Sequence, residues 1–259
     1  MKDVQGVLVY APFLPEKRDA VAGILESAGI RTVEAEPDMV VAVGGDGTFL
    51  KCFNQFHAPV LAVNAGHLGF LSSCDEADLP RAVAMLTSGA YDIQELPRLQ
   101  ARLPEGAVQT ALNDVCIHRC SEYGLLHLGI EVNGQSAAII TGDGVLVSTS
   151  MGSTAYSLSC GGPILHPNIP AMVITPVCPH LLSLRPIVIP ADASVSITLI
   201  GPGDRALVSP DGRQIGCVLA DGQGAVISRA PENSLLVRLP GGEGYYSRLG
   251  RKLGWSYRG

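Results

Sequence analysis

The segment Val-Gly-Gly-Asp-Gly-Thr, at residues 43–48, combines glycines with a carboxylate between an apolar run and a helical pattern. Gly44 and Gly45 have no Cβ atom, so the backbone there can lie close to a ligand. The free N–H groups and the partial positive charge at the start of the helix suit a phosphate group. Gly44 and Gly45, with Gly47 and Thr48, are therefore the candidate phosphate-donor loop.

Asp46 stands inside this loop, where a carboxylate would repel phosphate groups. Its presence is explained if it takes a proton from an attacking hydroxyl or reaches a Mg²⁺ ion. The alternative is that Asp46 only caps the following helix, because Asp is one of the commonest N-cap residues. No Gly-Lys-Thr/Ser sequence follows, which excludes a Walker A loop.

Asn113-Asp114 interrupts an otherwise strand-like run, Ala-Leu-Asn-Asp-Val-Cys-Ile-His-Arg. Asn and Asp are poor strand residues, so two of them among apolar neighbours indicate side chains that face a ligand. Together, the two side chains could accept hydrogen bonds from two hydroxyl groups, such as those of a ribose. The alternative is a β-bulge or a turn between two shorter strands.

Gly142-Asp143-Gly144 opens a third candidate segment, which continues through residues 145–164 and is rich in Gly, Ser and Thr. Such a stretch can lay backbone amides and hydroxyls along a polar ligand, and Tyr156 can stack on a flat ring. The alternative is a Ser/Thr-capped helix with Tyr156 in the core. Residues 144–184 contain no Asp, Glu, Lys or Arg, which indicates backbone buried close to another group.

A fourth segment, residues 66–70, follows an apolar strand that ends at Asn64. Ligands of open α/β sheets bind at the carboxyl ends of parallel strands. We therefore expect Phe70 and Asp46 to lie at the same edge. None of these segments predicts a metal ion held by protein ligands alone.

The elements that position these segments differ between the two halves of the chain. The first half alternates strand-like runs with helical patterns, which predicts a parallel sheet covered by helices. Short runs bounded by Gly, Pro or Asp follow, including the hairpin signal Asn133-Gly134. We expect an α/β domain over residues 1–95, a β-rich domain over 96–242, and a tail, 243–259, that packs back on the first domain.

The composition excludes several classes of protein. Of 259 residues, 47% are hydrophobic and 16% charged, which excludes a disordered chain. The formal charge of −6 argues against non-specific electrostatic binding to nucleic acid or to an anionic membrane. Seven Cys without a C-x-x-C motif, and an N-terminus unlike a signal peptide, predict reduced thiols in a cytoplasmic protein.

Taken in order, the segments resemble the motifs of the NAD kinases. The segments that carry the resemblance, over residues 38–257, are Gly44–Thr48, Asn113-Asp114, Gly142–Gly144, Gly152–Ser157 with Gly161–Ile164, Pro179-His180, Arg185–Val188 and Lys252–Trp255. Diacylglycerol and sphingosine kinases share the first motif, and phosphofructokinases have a related loop. The Gly-Ser-Thr-Ala-Tyr-Ser-Leu-Ser stretch is far more specific to NAD kinases.

The resemblance implies that ATP, or polyphosphate in some members, donates a phosphoryl group to the 2′-hydroxyl of the adenosine ribose of NAD, which gives NADP. It implies Mg²⁺ or another divalent cation with ATP, and a homodimer or homotetramer. Asp46 matches the general base of the family, and Asp211-Gly212-Arg213 resembles a further loop near the nucleotide. The residues that match NAD-binding positions, mostly in the β-rich domain, are Asp46, Gly47, Phe70, Asn113, Asp114, Asp143, Thr154, Ala155, Tyr156, Ser157, Leu158 and Ser159.

Two positions depart from the family pattern. Ser150-Met151 stands where the family commonly has Pro-Thr, and we expect a looser loop there. Asp114 stands where the family often has Glu, which moves the carboxylate by one methylene.

Two other functions stay open from the sequence. A lipid kinase of the diacylglycerol type would explain residues 43–48 but not 142–164. A catalytically silent NAD(P)-binding regulator would have no evident use for Asp46.

Overall fold

The structure is a computed structural model that describes residues 4–66, 69–120 and 124–255. The chain forms two compact units, one of Met1–Leu96 with Ser234–Gly259 and one of Pro97–Asn233. Among the described residues, no helix combines the length and the apolar character that crossing a membrane requires.

The first unit begins with strands that alternate with helices. The strands are β1 (Gly6–Tyr10), β2 (Arg31–Thr32), β3 (Met39–Gly44), β4 (Val60–Asn64), β5 (Cys74–Asp75) and β6 (Asp92–Leu96), and the helices are α1 (Pro15–Ser27), α2 (Asp46–Gln55) and α3 (Leu79–Ser88). Every residue of β3 and β4 is buried, as expected for central parallel strands that carry helices on both faces. Gly89 ends α3 in the left-handed conformation that glycine adopts without a steric cost.

The second unit consists of two six-stranded antiparallel sheets. Its strands are β7 (Leu99–Arg102), β8 (Val108–Ala111), β9 (Asp114–Arg119), β10 (Leu126–Val132), β11 (Gln135–Gly142), β12 (Gly144–Thr149), β13 (Ala171–Val177), β14 (Ile187–Pro190), β15 (Val195–Leu199), β16 (Ala206–Pro210), β17 (Val218–Leu219) and β18 (Gly224–Arg229), and its short helix is α4 (Tyr156–Ser159). The strand orders are β11-β10-β15-β18-β7-β8 and β14-β13-β12-β9-β16-β17. Side chains from both sheets form one core, as in a β-sandwich.

The chain then returns to the first unit through β19 (Ser234–Arg238) and α5 (Tyr245–Lys252). The first sheet has the order β2-β1-β3-β4-β19-β6, with β5 beside β4. Its strands pair in parallel except for β6, which is antiparallel to β19. The fold class is therefore the predicted one: an α/β unit with a largely parallel sheet, a β-rich unit, and a tail that packs in the first unit.

The strand β19 lies in a different unit from the one predicted. The expected range for the β-rich domain, residues 96–242, included it. The backbone of Leu236 instead pairs with Val60 of β4 and Gln94 of β6, and the neighbouring Val237 is buried in the core of the first unit. Sequence periodicity identifies a strand but not the sheet that it joins.

The strand-like run around Asn113-Asp114 is divided between two strands. The strands β8 and β9 belong to different sheets, and the chain bends at Leu112 and Asn113 between them. The start of segment 145–164 belongs to the central strand β12, a strand that the sequence did not predict.

Candidate active site

In the first unit, Asp46 is the first residue of α2, and the N-cap is Gly45. Gly45 has no side chain, so no side-chain group caps the helix. Its carbonyl accepts the N–H groups of Thr48 at 2.9 Å and Phe49 at 3.1 Å. The N–H groups that precede these find no carbonyl within the helix, as at any helix start, and remain suited to a phosphate.

The carboxylate of Asp46 faces other segments of the first unit. Its Oδ2 accepts the backbone N–H of Phe70 at 3.1 Å, and its Oδ1 accepts that of Leu71 at 3.2 Å. The Nζ atom of Lys252, at the end of α5, donates to Oδ2 at 2.9 Å. The interpretation of Asp46 as a helix cap is therefore wrong. The carboxylate is held in place and still 29% exposed, so it can meet a ligand.

Glycines allow this close approach. A Cβ atom on Gly69 would overlap the carboxylate of Asp46, and one on Gly44 would overlap the side chain of Thr48. The structure thus brings together Asp46, Phe70 and the glycine loop at the carboxyl ends of β3 and β4. His67 and Leu68, which belong to the fourth candidate segment, lie outside the described residues.

Two cations of α5, Arg248 and Lys252, complete this part of the site, and the sequence alone predicts no role for either of them. Arg248 is buried, and its Nη1 donates to the carbonyl oxygens of Phe70 at 3.0 Å and Ser72 at 2.9 Å. Burial lowers the pKa of Arg248, and the carboxylates of Glu243 and Asp46 oppose that shift. Arg248 and Lys252 are four residues apart on one helix face, a spacing that could have indicated a shared role.

In the second unit, the bend at Asn113 is fixed by the carboxylate of Asp211. That carboxylate accepts the N–H groups of Leu112 and Asn113, each at 2.8 Å, and the N–H of Asp211 donates to the carbonyl of Asp114 at 2.8 Å. The hydroxyl of Thr149 donates to the carbonyl of Leu112 at 2.9 Å. The alternative of a turn between two shorter strands is therefore confirmed, and these hydrogen bonds fix the backbone that carries the side chains of Asn113 and Asp114.

Within the described residues, the side chains of Asn113 and Asp114 make no hydrogen bond to the protein. Asn113 is half-buried, and Asp114 is 5% exposed. Burial, and then repulsion from Asp211, raise the pKa of Asp114 to about 7. A buried carboxyl group without a partner is unfavourable, so a hydroxyl of a ligand would stabilise it.

The third segment lies against this bend. The Thr149 N–H donates to the Asn113 carbonyl at 2.9 Å, and the Gly152 N–H donates to the Thr149 hydroxyl at 2.9 Å. A Cβ atom on Gly152 would overlap the backbone of Asn113. The second and third candidate segments therefore meet within the second unit.

The side chains of the third segment differ in exposure. Tyr156 is 48% exposed at the start of α4, so its placement in the core is wrong. Ser157 is fully buried and shares a hydrogen bond of 2.8 Å with Thr175. Of the remaining candidates, Ser159 is exposed, and Thr154, Ala155 and Leu158 are half-buried.

Asp143 lies between β11 and β12 at the start of this segment. Its Oδ1 is 3.1 Å from Nε of Arg119, and each side chain is about one-third exposed, at 31% and 36%. The pair lies at the surface, where a ligand can reach the carboxylate.

Both halves of the chain match one protein family. Residues 11–91 match the ATP-NAD kinase N-terminal domain, and residues 112–239 match the ATP-NAD kinase C-terminal domain. The chain belongs to the NAD kinase family. Its members are phosphotransferases, and this chain shares their two-part fold.

Relatives and solved structures agree with membership of the NAD kinase family. An NAD kinase of Gemmatimonas aurantiaca is 37% identical over 236 residues, which cover 88% of this chain and 81% of the relative. An NAD kinase of Citrifermentans bemidjiense is 33% identical, and the match covers 98% of this chain and 90% of the relative. The crystal structure of yeast NADH kinase complexed with NADH is similar with a TM-score of 0.86 at 25% identity, covering 100% of this chain and 90% of that one.

A further structure shows the same fold at lower identity. An NAD kinase from Archaeoglobus fulgidus, in complex with ATP, matches with a TM-score of 0.78 at 19% identity, covering 96% of this chain and 97% of that one. The lipid-kinase alternative rested on residues 43–48, whereas the C-terminal match includes Asn113-Asp114 and residues 142–164. Membership of the NAD kinase family therefore does not favour that alternative.

The first departure from the NAD kinase pattern has a structural compensation. The hydroxyl of Ser150, where the family commonly has Pro, lies 2.5 Å from the carbonyl oxygen of Ile169 and 3.1 Å from that of Ala171. Ser150 and Met151 are both buried. Hydrogen bonds thus hold this part of the loop in place of the ring of a proline.

Proposed function

We propose that the protein transfers the γ-phosphoryl group of ATP to the 2′-hydroxyl of the adenosine ribose of NAD, with Asp46 as the general base. The observation that carries this proposal is the geometry of Asp46. Its carboxylate is at the start of α2, beside a glycine loop suited to phosphates, and N–H groups of Phe70 and Leu71 orient it. Membership of the NAD kinase family supports the choice of substrates.

The proposed reaction is an in-line phosphoryl transfer. The 2′-oxygen attacks the γ-phosphorus, its proton passes to the carboxylate of Asp46, and a new O–P bond forms. The bond from the γ-phosphorus to the bridging oxygen breaks, and ADP leaves with that electron pair. Such a reaction needs positioning and neutralisation of charge more than covalent chemistry. Gly44, Gly45, Gly47 and Thr48 supply backbone groups for the donor phosphates.

In this proposal, several of the residues that bind NAD lie in the second unit, where their side chains can contact a ligand. We infer that the side chains of Asn113 and Asp114 accept ribose hydroxyls, since neither side chain has a hydrogen-bond partner among the described residues. Tyr156 stacks on a flat ring of the ligand. The other proposed NAD contacts are Asp46, Gly47, Phe70, Asp143, Thr154, Ala155, Leu158, Ser159 and the backbone of Ser157.

The divalent cation enters, in this proposal, as part of MgATP. Both carboxylate oxygens of Asp46 already accept N–H donors, which is not the environment of a metal ligand. In the described ranges, no three His, Cys, Asp or Glu side chains form a group that could hold a metal. In this proposal the phosphates of ATP would hold the ion, which would supply positive charge to the transferred group.

The remaining partner assignments are inferences of the same kind. Polyphosphate is a second possible donor, because the glycine loop would contact phosphates rather than a base. We infer a homodimer or homotetramer in the cytoplasm. The formal charge of −6 supports small-molecule substrates rather than nucleic acid or membrane.

The experiment is an incubation of the purified protein with NAD, MgATP and a dehydrogenase that reduces only NADP. We expect reduced cofactor to accumulate when ATP is present and not when it is omitted. A parallel reaction with polyphosphate identifies the donor. Binding of NAD without NADP formation from either donor would overturn the proposal in favour of a silent NAD-binding regulator.

A further inference from the structure

The ammonium group of Lys252, on the C-terminal helix α5, contacts the carboxylate of Asp46. Lys252 is the last residue of α5, and its Nζ is 2.9 Å from Oδ2 of Asp46 across 206 positions of sequence. The same ammonium is 4.9 Å from the centre of the Phe70 ring. Phe70 also donates its backbone N–H to Asp46, so the three residues form one cluster within the first unit.

The position of Lys252 does not depend on its ion pair with Asp46. Arg248, one turn earlier in α5, is buried and bonded to the carbonyls of Phe70 and Ser72. These bonds fix the helix face on which Lys252 lies. An ordinary surface ion pair between two mobile side chains contributes little to stability. Because α5 is anchored independently by Arg248, the ion pair between Lys252 and Asp46 is not needed to hold the helix, which indicates a role other than stability.

The ammonium of Lys252 also has capacity for another ligand. A Lys side chain carries three N–H donors, and among the described residues Asp46 is the one hydrogen-bond acceptor of this ammonium. The side chain is 33% exposed, so it is open to a bound phosphate group. Asp46 itself would repel such a group, and an adjacent cation offsets that repulsion.

We propose that Lys252 is a further residue of the phosphoryl-transfer site, whose ammonium bridges the carboxylate of Asp46 and the phosphoryl group of the donor. This inference rests on the proposed function. Lys252 keeps its own protons throughout, since the proton of the 2′-hydroxyl goes to Asp46. Its charge stabilises the oxygens of the phosphoryl group as it moves to the acceptor.

The test compares Lys252→Met with Lys252→Arg and with Lys51→Met. Lys51 lies on α2, over the ring of Phe13 at 4.3 Å, and its replacement removes the same charge from the same unit. For Lys252→Met we expect kcat/KM for ATP to fall about 10- to 100-fold, the effect of losing one charge-assisted hydrogen bond. Lys252→Arg should recover most of the activity, and Lys51→Met should stay within about twofold of the native protein.

Two further readouts separate this role from a structural one. The dissociation constant of NAD, by calorimetry, should change less than about twofold in Lys252→Met, whereas a misplaced loop would alter it. Ethylammonium should restore part of the activity of Lys252→Ala, and the same concentration of sodium chloride should not. A merely structural Lys252 would predict no rescue.

The outcomes distinguish the inference from the proposed function. If the native protein forms NADP and Lys252→Met keeps kcat/KM for ATP within about twofold, the inference is wrong and the proposed function stands. If Lys252→Met loses activity, NAD affinity and thermal stability together, and ethylammonium does not rescue Lys252→Ala, the contact is structural and the inference is also wrong. If the native protein forms no NADP, the proposed function fails and this inference with it.

Discussion

Gly69 lies so close to Asp46 that a methyl group on its Cα atom would overlap the carboxylate. The two residues come from the loop after β4 and from the start of α2, and the N–H groups of Phe70 and Leu71 complete the contact. The position of the proposed base therefore depends on a residue with no side chain.

Gly69→Ala should displace the carboxylate of Asp46 and lower kcat. We expect a decrease of about 10- to 100-fold, because catalysis is sensitive to shifts of about 1 Å in a reacting group. Gly66→Ala is the matched control, since a Cβ atom there would meet no atom of the described residues within 4 Å. The coupled assay for NADP measures both variants, and equal activity of the two would contradict the importance of this contact.

Asp114 should make stability depend on pH. Its folded-state pKa is raised to about 7, so the folded protein holds the proton more tightly than the unfolded chain. The stabilisation is present below the unfolded-state value of about 4 and is lost as the pH rises through about 7. Above that pH, Asp114→Asn should be more stable than the native protein by roughly 1–4 kcal/mol, because it carries no buried charge.

Urea unfolding between pH 5.5 and pH 8.5 measures this difference. The excess stability of Asp114→Asn should grow up to about pH 7 and then stay constant. Asp192→Asn, which changes an exposed carboxylate in the same unit, serves as the control. A difference independent of pH would show that Asp114 is ionised in the folded protein throughout this range.

Tyr156→Ala should weaken the binding of NAD. Loss of a stacked aromatic ring costs roughly 1–3 kcal/mol, or about 5- to 150-fold in the dissociation constant. Tyr156→Phe should bind as the native protein does, and Tyr246→Ala removes another exposed ring as a control. Calorimetry that finds the same dissociation constant for Tyr156→Ala would contradict the stacking role.

The parts of the fold that the sequence predicts are those with local signals. The apolar run of β3, the glycines after it and the helix α2 stand together in the chain, so their arrangement follows from residues 39–55 alone. Asn113 and Asp114 are visible because polar residues are unfavourable in a strand. In each case the signal and the structure span fewer than about 20 residues.

The parts that the sequence does not predict depend on contacts between distant segments. Nothing near Lys252 indicates that it meets Asp46, and nothing in residues 234–238 indicates which sheet they join. The bend at Asn113 was visible only as one of two alternatives, because the carboxylate of Asp211 that fixes it lies 98 positions away. Such pairings arise from the packing of whole elements rather than from local periodicity.

The central claim is that Asp46 takes the proton in phosphoryl transfer, and Asp46→Asn tests it most directly. The amide keeps the size of the side chain and can accept N–H groups, but it does not accept the proton. In the NADP-coupled assay with NAD and MgATP, kcat should fall by about 10²-fold or more. The dissociation constant of NAD should hardly change. Turnover within a few-fold of the native rate would contradict the assignment of Asp46 as the base.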